Sequence, residues 1–326
     1  MRIIPIAQYN ELTMQLAKPV YDRFRRILLA ANTTIHPKYL QKMKEIGIRS
    51  LFVEDAQSRG ITMDELIDMP TWMDVIQVLS DVYAAVKAKK ALQLARVHSS
   101  VAQLIAEVKR RPIVLPIHTN AMPDEIRPYG HAVNVALLAL QIGKNLGYNE
   151  IMLRDLGIGC LLHDIGKAAA ADERKHPEEG FAILRGIREL NLLSAHVAFQ
   201  HHETLDGKGY PRAISGAAFH EYAQICGLCN VYENMTTAKD MPSHEVMEYM
   251  MTLSGTGYSP HIVDMFTRSV PSYPPGTMVQ MNDGKNAIVV KISAHMQRPS
   301  IRYLDTGEEI SLADHPTVMV AKTVVV

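Results

Sequence analysis

Fourteen histidines are spread over the chain, and six of them, His131, His163, His176, His196, His201 and His202, fall in a single stretch. A helical core does not need them, because a buried imidazole costs desolvation unless its ring nitrogens find partners. Two places give them the look of ligands. His163-Asp164 closes the apolar run Leu153–Leu162 and is followed by Ile165-Gly166-Lys167; His201-His202-Glu203 precedes the loop Asp206-Gly207-Lys208-Gly209-Tyr210-Pro211. Neighbouring residues on a helix project about 100° apart, so a His-Asp pair can hold one metal through its imidazole and lend its carboxylate to a bridging position. Imidazoles with few carboxylates suit Fe, Mn or Zn, whereas Mg and Ca prefer oxygen-rich shells. With this many candidate ligands, two ions are expected rather than one. A centre with ions ~3.5–4 Å apart activates a bridging water and clamps both oxygens of an in-line phosphoryl displacement.

The elements that must position these side chains read as helices. From about 125 to 268 nearly every segment is helical, with breaks at Gly147, Gly166, Asp206–Pro211 and Gly255–Pro260. Upstream, Val75, Leu79, Val82 and Val86, then Leu94, Val97, Val101 and Ile105, recur at helical spacing, so residues 71–124 are expected to be connecting helices. Residues 1–70 mix short apolar runs (Ile27–Leu29, Ser50–Val53) with a helix over Lys38–Glu45 that stops at Gly47, as in a small α+β module. After Pro271 the apolar period becomes two. Met278–Met281 and Ile288–Ile292 flank Asn282-Asp283-Gly284-Lys285, Ile301–Leu304 and Ile310 flank Asp305-Thr306-Gly307, and Val318–Val320 reads as a last strand. The expected fold is mainly α: a helical unit over 125–270 between a small N-terminal α+β module and a small C-terminal β module at 271–326.

Composition narrows the class. Apolar residues make 47% and charged residues 21% of the 326, enough to bury a sizeable core. The 34 basic and 34 acidic side chains cancel, so nothing in the net charge favours nucleic acid or an acidic membrane as partner. No apolar run approaches the ~20 residues of a membrane span. Met1–Ile6 gives way at once to Gln8, Asn10 and Glu11 and does not read as a signal peptide. Cys160, Cys226 and Cys229 suggest a reducing compartment, the cytoplasm, and no disulfide framework. Cys226-x-x-Cys229 lies in a helical apolar pattern with no second pair, which favours core thiols over a zinc site. Trp72 reads as a packing residue between modules, and the eighteen methionines as core filler.

His131, His163-Asp164-Ile165-Gly166-Lys167, His176-Pro177-x-x-Gly180 and His201-His202-Glu203-x-x-Asp206-Gly207-x-Gly209-Tyr210-Pro211 resemble the HD-GYP family, a branch of the HD-domain phosphohydrolases that hydrolyses cyclic di-GMP. The resemblance covers about residues 125–268. It implies a helical HD-domain bundle with His131, His163, Asp164, His176, His201, His202 and Asn230 as ligands of two divalent ions, Fe or Mn first and Zn third, with Asp164 bridging. It gives Asp164 and Lys167 catalytic roles, Lys167 facing the phosphate. Gly207, Gly209 and Tyr210 would shape the substrate rim and a docking surface for GGDEF-type or other signalling proteins. Lys239 falls where the family places basic contacts to nucleotide phosphates.

Four departures from the family pattern bear on activity. Asn230 stands where a carboxylate belongs in the late helix. Arg127 replaces the Glu of members with three metals, so two are expected. The connection from Asp164 to His176 lacks the usual longer segment, which opens the cleft, and Met241-Pro242 replaces a basic residue. These leave open a non-catalytic nucleotide- or partner-binding module, and a phosphohydrolase for another cyclic dinucleotide or a nucleotide monoester.

Overall fold

The computed structural model describes residues 1–170, 172–292 and 295–324. The chain opens with short strands, β1 (Arg2–Pro5), β2 (Gln15–Leu16), β3 (Val20–Tyr21) and β4 (Ile27–Leu29). Helix α1 (Pro37–Glu45) and strand β5 (Ser50–Glu54) follow. β5 lies between β1 and β2, antiparallel to both, and pairs Ile3 with Phe52. One face of this sheet and α1 enclose a core of Ile4, Leu16, Ile35, Met43, Leu51 and Val53. Alternation along β1 explains the layering: Ile4 points into that core, while Ile3 meets the main core of the molecule.

Two long helices come next, α2 (Met69–Lys87) and α3 (Leu94–Arg110). The first starts where Asp68 accepts from the Thr71 N–H at 3.0 Å and Pro70 occupies the first turn, so it begins at Met69, well before Val75 opens the apolar repeat. Then come α4 (Arg127–Asn145), α5 (Glu150–Leu161), α6 (His176–Arg185) and α7 (Leu192–Gln200). The bundle closes with α8 (Glu221–Glu233), α9 (Ser243–Thr252) and α10 (Pro260–Ser269). Helix α4 is apolar on nearly every side from Ala132 to Gly143 and is buried accordingly, at the centre of the bundle. Each of Leu137, Leu138, Leu140 and Ile142 contributes roughly 1.5–3 kcal/mol of transfer free energy there. Trp72 is fully buried between α2 and α4.

The C-terminal sheet is antiparallel in the order β10 (Val320–Thr323), β6 (Met278–Met281), β7 (Asn286–Lys291), β8 (Ser300–Tyr303), β9 (Glu309–Ser311). Both expected hairpins are present, but the last strand begins later than Val318. The Val318 carbonyl accepts from Arg298 and the Met319 N–H donates to Asn282 Oδ1, so ladder pairing starts only at Val320. Among the described residues, no helix is long and apolar enough to cross a membrane. Cys160, Cys226 and Cys229 are free and buried in the helical core, as expected of packing thiols.

Candidate metal centre

Six side chains converge from helix ends. His131 sits in the second turn of α4, His163-Asp164 just past the end of α5, His176 at the start of α6, and His201-His202 just past α7. Glycine lets these ends approach. A Cβ on Gly166 would lie 2.0 Å from the His176 carbonyl oxygen, so only glycine lets the His-Asp turn sit against the first turn of α6. Gly209 does the same for the following loop, since a Cβ there would fall 2.3 Å from the Cα of Glu203.

The imidazole tautomers follow from the backbone. Nδ1 of His163 lies 2.7 Å from the Cys160 carbonyl oxygen and Nδ1 of His201 lies 3.0 Å from that of Ala198, while Nδ1 of His176 contacts Glu173 O. Carbonyls only accept, so each ring donates from Nδ1 and is left with a bare lone pair at Nε2. The Nε2 atoms of His176 and His201 face each other at 3.2 Å, and no proton is available between two acceptors. Nε2 of His163 and Oδ1 of Asp164 are buried without a hydrogen-bond partner. Burial holds His163 down to about 3 and His202 down to about 2, and it lowers His201 as well, so these rings keep their lone pairs. Burial also opposes ionisation of Asp164, yet His163 and the other groups around it outweigh burial and keep its carboxyl well below the usual range. A cavity of inward lone pairs around one carboxylate is what a cation needs, and the donor set fits a transition metal.

The ligand atoms divide into two groups with a common member. Asp164, His176, His201 and His202 offer atoms within 4.8 Å of one another, and so do His131, His163 and Asp164. Asp164 Oδ1 is 3.1 Å from His176 Nε2, and Oδ2 is 3.5 Å from His163 Nε2.

Glu233, the last residue of α8, is the carboxylate that sequence reasoning missed. It contacts His131 Nδ1, and its other oxygen accepts from Asn134 Nδ2 at 3.2 Å and Thr237 Oγ1 at 3.2 Å. Asn134 in turn accepts from the Trp72 indole at 3.0 Å. Burial pulls His131 down, but Glu233 overrides it and leaves His131 raised. A carboxylate behind a ligating imidazole fixes its tautomer and its aim. The sequence signal was a Glu three residues past Asn230, one position beyond the window in which a carboxylate was sought. Asn230 itself is buried one turn earlier, with Oδ1 accepting from Asn234 Nδ2 at 2.8 Å.

The remaining expected residues fall around this cluster. Lys167 Nζ is 2.6 Å from Asp164 Oδ2 and lines a cleft of about 510 Å³. Tyr210 stacks on His202 with ring centroids 4.5 Å apart, and the Arg174 guanidinium covers its other face. Glu203 secures that loop by accepting from the Arg212 and Ile214 N–H groups at 2.8 and 3.2 Å. Gly207, Gly209, Tyr210 and Lys239 do not line the cleft; Tyr83, Lys87, Arg127 and Tyr129 do. Lys87 and Tyr83 come from α2, where only their i, i+4 spacing marked them as neighbours. Arg127 is a strut: it pairs with Asp124 and donates to Gly47 O at 2.5 Å, tying the N-terminal module to the start of α4.

Residues 129–235, from the first turn of α4 to just past α8, match the family model of the HD domain. The string His201-His202-Glu203-x-x-Asp206-Gly207-x-Gly209-Tyr210-Pro211 within that stretch is the one that resembles the HD-GYP branch. A cyclic di-GMP phosphodiesterase of Pseudomonas aeruginosa is 27% identical over 222 residues, covering 62% of this chain and 53% of that protein. A cyclic di-GMP phosphodiesterase of Thermotoga maritima is 26% identical over 165 residues, 44% of this chain and 45% of that protein. A 3′3′-cGAMP-specific phosphodiesterase of Vibrio cholerae is 30% identical over 165 residues, 44% of this chain and 38% of that protein. Among solved structures, an HDG"Y"P protein of Bdellovibrio bacteriovorus matches with TM-score 0.49 and 14% identity over 81% of this chain and 97% of that one. The chain thus spans about half the length of the first curated relatives it matches.

Proposed function

We propose that the chain is a metal-dependent phosphodiesterase that hydrolyses cyclic di-GMP to the linear dinucleotide or to GMP. The observation that carries this reading is the convergence of five imidazoles on one shared carboxylate in two overlapping groups, with Nε2 of His163 and Oδ1 of Asp164 buried and bare. The named activities of the relatives, all on cyclic dinucleotides, support the substrate class. Two divalent ions, Fe or Mn first and Zn third, would be held by His131, His163, Asp164, His176, His201 and His202, and would supply Lewis acidity and an activated water. Asn230 would complete the proposed ligand set without negative charge, by turning its Oδ1 away from Asn234.

The chain's own groups do the rest. Asp164 fixes the spacing of the two ligand groups, because each of its oxygens faces a different set of imidazoles. Lys167 donates to Asp164 and has two further N–H donors for a non-bridging phosphate oxygen, where they offset charge that grows as the leaving oxygen departs. A cyclic dinucleotide carries two phosphodiesters, and the exposed Lys87, which also lines the cleft, gives the second one a cation. Lys239 and the loop at Gly207, Gly209 and Tyr210 are assigned to the outer rim, with the loop also a docking surface for GGDEF-type or other signalling proteins. Three buried free thiols fit work in the cytoplasm.

The test is a substrate panel of cyclic di-GMP, 3′3′-cGAMP, cyclic di-AMP and GMP, offered to protein purified without oxygen and reloaded with ferrous iron or manganese. Linear dinucleotide or GMP formed from cyclic di-GMP in preference to the others, and lost on chelation, is the expected result. Product from 3′3′-cGAMP alone would move the substrate. No product from any would favour a non-catalytic binding module, the reading that the uncharged Asn230 supports.

A further inference from the structure

Behind the metal cluster lies a second, mostly apolar cavity of about 370 Å³, bounded by all three parts of the molecule. Ile3 of β1, His118 before α4, Ser243 and His244 at the start of α9, and Val324 after β10 contribute to its walls. Its size is in the range of small-molecule sites. Two features give it chemical character. The Nδ1 atoms of His118 and His244 are both buried without a hydrogen-bond partner, and a buried acceptor left bare costs free energy. The charges on the walls are Glu233 and Asp240 against Arg2, and Arg2 is paired with Asp55 at 2.9 Å, so no lysine or arginine is left over to meet an anion. Burial lowers the pKa of His118 and keeps its ring neutral, and the other ring nitrogen faces the Thr236 backbone, which leaves Nδ1 as the acceptor.

We propose that this cavity is a binding site for a compact, largely apolar small molecule that carries a hydrogen-bond donor and no negative charge. Its donor meets Nδ1 of His118, and its apolar body fills the space between the modules. The site is wired to the metal cluster. Glu233 and Thr237 line both this cavity and the cleft in front of it, and Glu233 is the residue that holds His131. An occupant therefore packs against the support of a proposed metal ligand, and binding changes how firmly the metal is held. The binding itself does not depend on the proposed phosphodiesterase activity.

The experiment uses the whole chain and a matched set of probes: 2-naphthol, 2-naphthoate and naphthalene. Titration calorimetry should show saturable one-to-one binding of 2-naphthol, at least tenfold tighter than the naphthoate anion. His118→Phe should erase most of the preference for naphthol over naphthalene. Ile3→Trp and Ser243→Trp fill the space from different modules, and each should abolish binding; two independent fillings guard against one variant failing to fold. Absence of saturable naphthol binding to the unmodified protein, or binding that survives both tryptophans in folded variants, would overturn the site. Manganese affinity, read by chelator competition, should shift at least threefold at saturating naphthol. An unchanged affinity would overturn the link to the metal cluster.

Discussion

Glu233 is the residue on which the presentation of His131 turns. It accepts from His131, Asn134 and Thr237. Glu233→Gln keeps the size but replaces one acceptor oxygen with an amide that cannot accept from Nδ1. The expected cost is about 10–100-fold in metal affinity, in the range found for such supporting carboxylates; affinity within a factor of two of the parent would show that His131 needs no support. Protonation adds a prediction of definite sign. Burial holds His163 down to about 3 and His202 down to about 2, while His131, despite burial, is raised by Glu233. A histidine with a depressed folded-state pKa favours the folded state at neutral pH, and that contribution is lost as pH falls below its unfolded value of about 6.5. His131 has the opposite sign but is one group against two. Metal-free protein should therefore lose urea midpoint steadily from pH 7 to pH 4.5, and a flat profile would contradict the buried neutral cluster.

At the scale of elements, the site depends on how helix ends are brought together. The Gly166 turn against α6 is the tightest of these approaches, with the His176 carbonyl 2.0 Å from where a Cβ would stand. Gly166→Ala should push α6 outward and cost the His176 side of the cluster its metal, giving about half the parent metal content in a chain that still folds; full content would mean that the turn has slack. The wall formed by α2 makes a separate prediction. Lys87→Ala should raise KM for a cyclic dinucleotide about 10–100-fold, in line with the roughly 1.5–3 kcal/mol of a charge-assisted hydrogen bond, with kcat nearly unchanged. A loss in kcat alone would place Lys87 at the reacting phosphate instead. Much of this scale was legible in the sequence. The histidines stand at helix ends, where Gly166 and the Asp206–Pro211 loop broke the apolar period, and a break in period is visible in one dimension. The role of α2 was not legible, because Tyr83 and Lys87 look like an ordinary helix end until tertiary packing brings them to the cleft that His131 also lines. Glu233 was missed for the same reason: which turn of α8 faces the cluster depends on how α8 rotates against α4.

For the whole molecule, Arg127 shows how the modules hold together. The sequence pattern marked it as a residue in the place of a metal-binding Glu, and the fold uses it to clasp Gly47 and Asp124. Arg127→Glu should cost about 2 kcal/mol of stability by removing hydrogen bonds to a charged group, with no gain of a third metal; a third equivalent of bound metal would contradict that role. The helical character of the middle of the chain and both C-terminal hairpins followed from periodicity, whereas the central place of α4 did not. The way in which β1 serves two cores at once did not, since which face of a short strand is inward is decided by its partners. All of these features converge on Asp164, whose two oxygens face two sets of imidazoles. The most direct measurement is the metal content and electron paramagnetic resonance of manganese-loaded protein. Two ions per chain with an exchange-coupled spectrum, collapsing to at most one uncoupled ion in Asp164→Ala, is the result that this arrangement predicts. Two ions with independent six-line spectra, or a coupled pair that survives loss of Asp164, would contradict it.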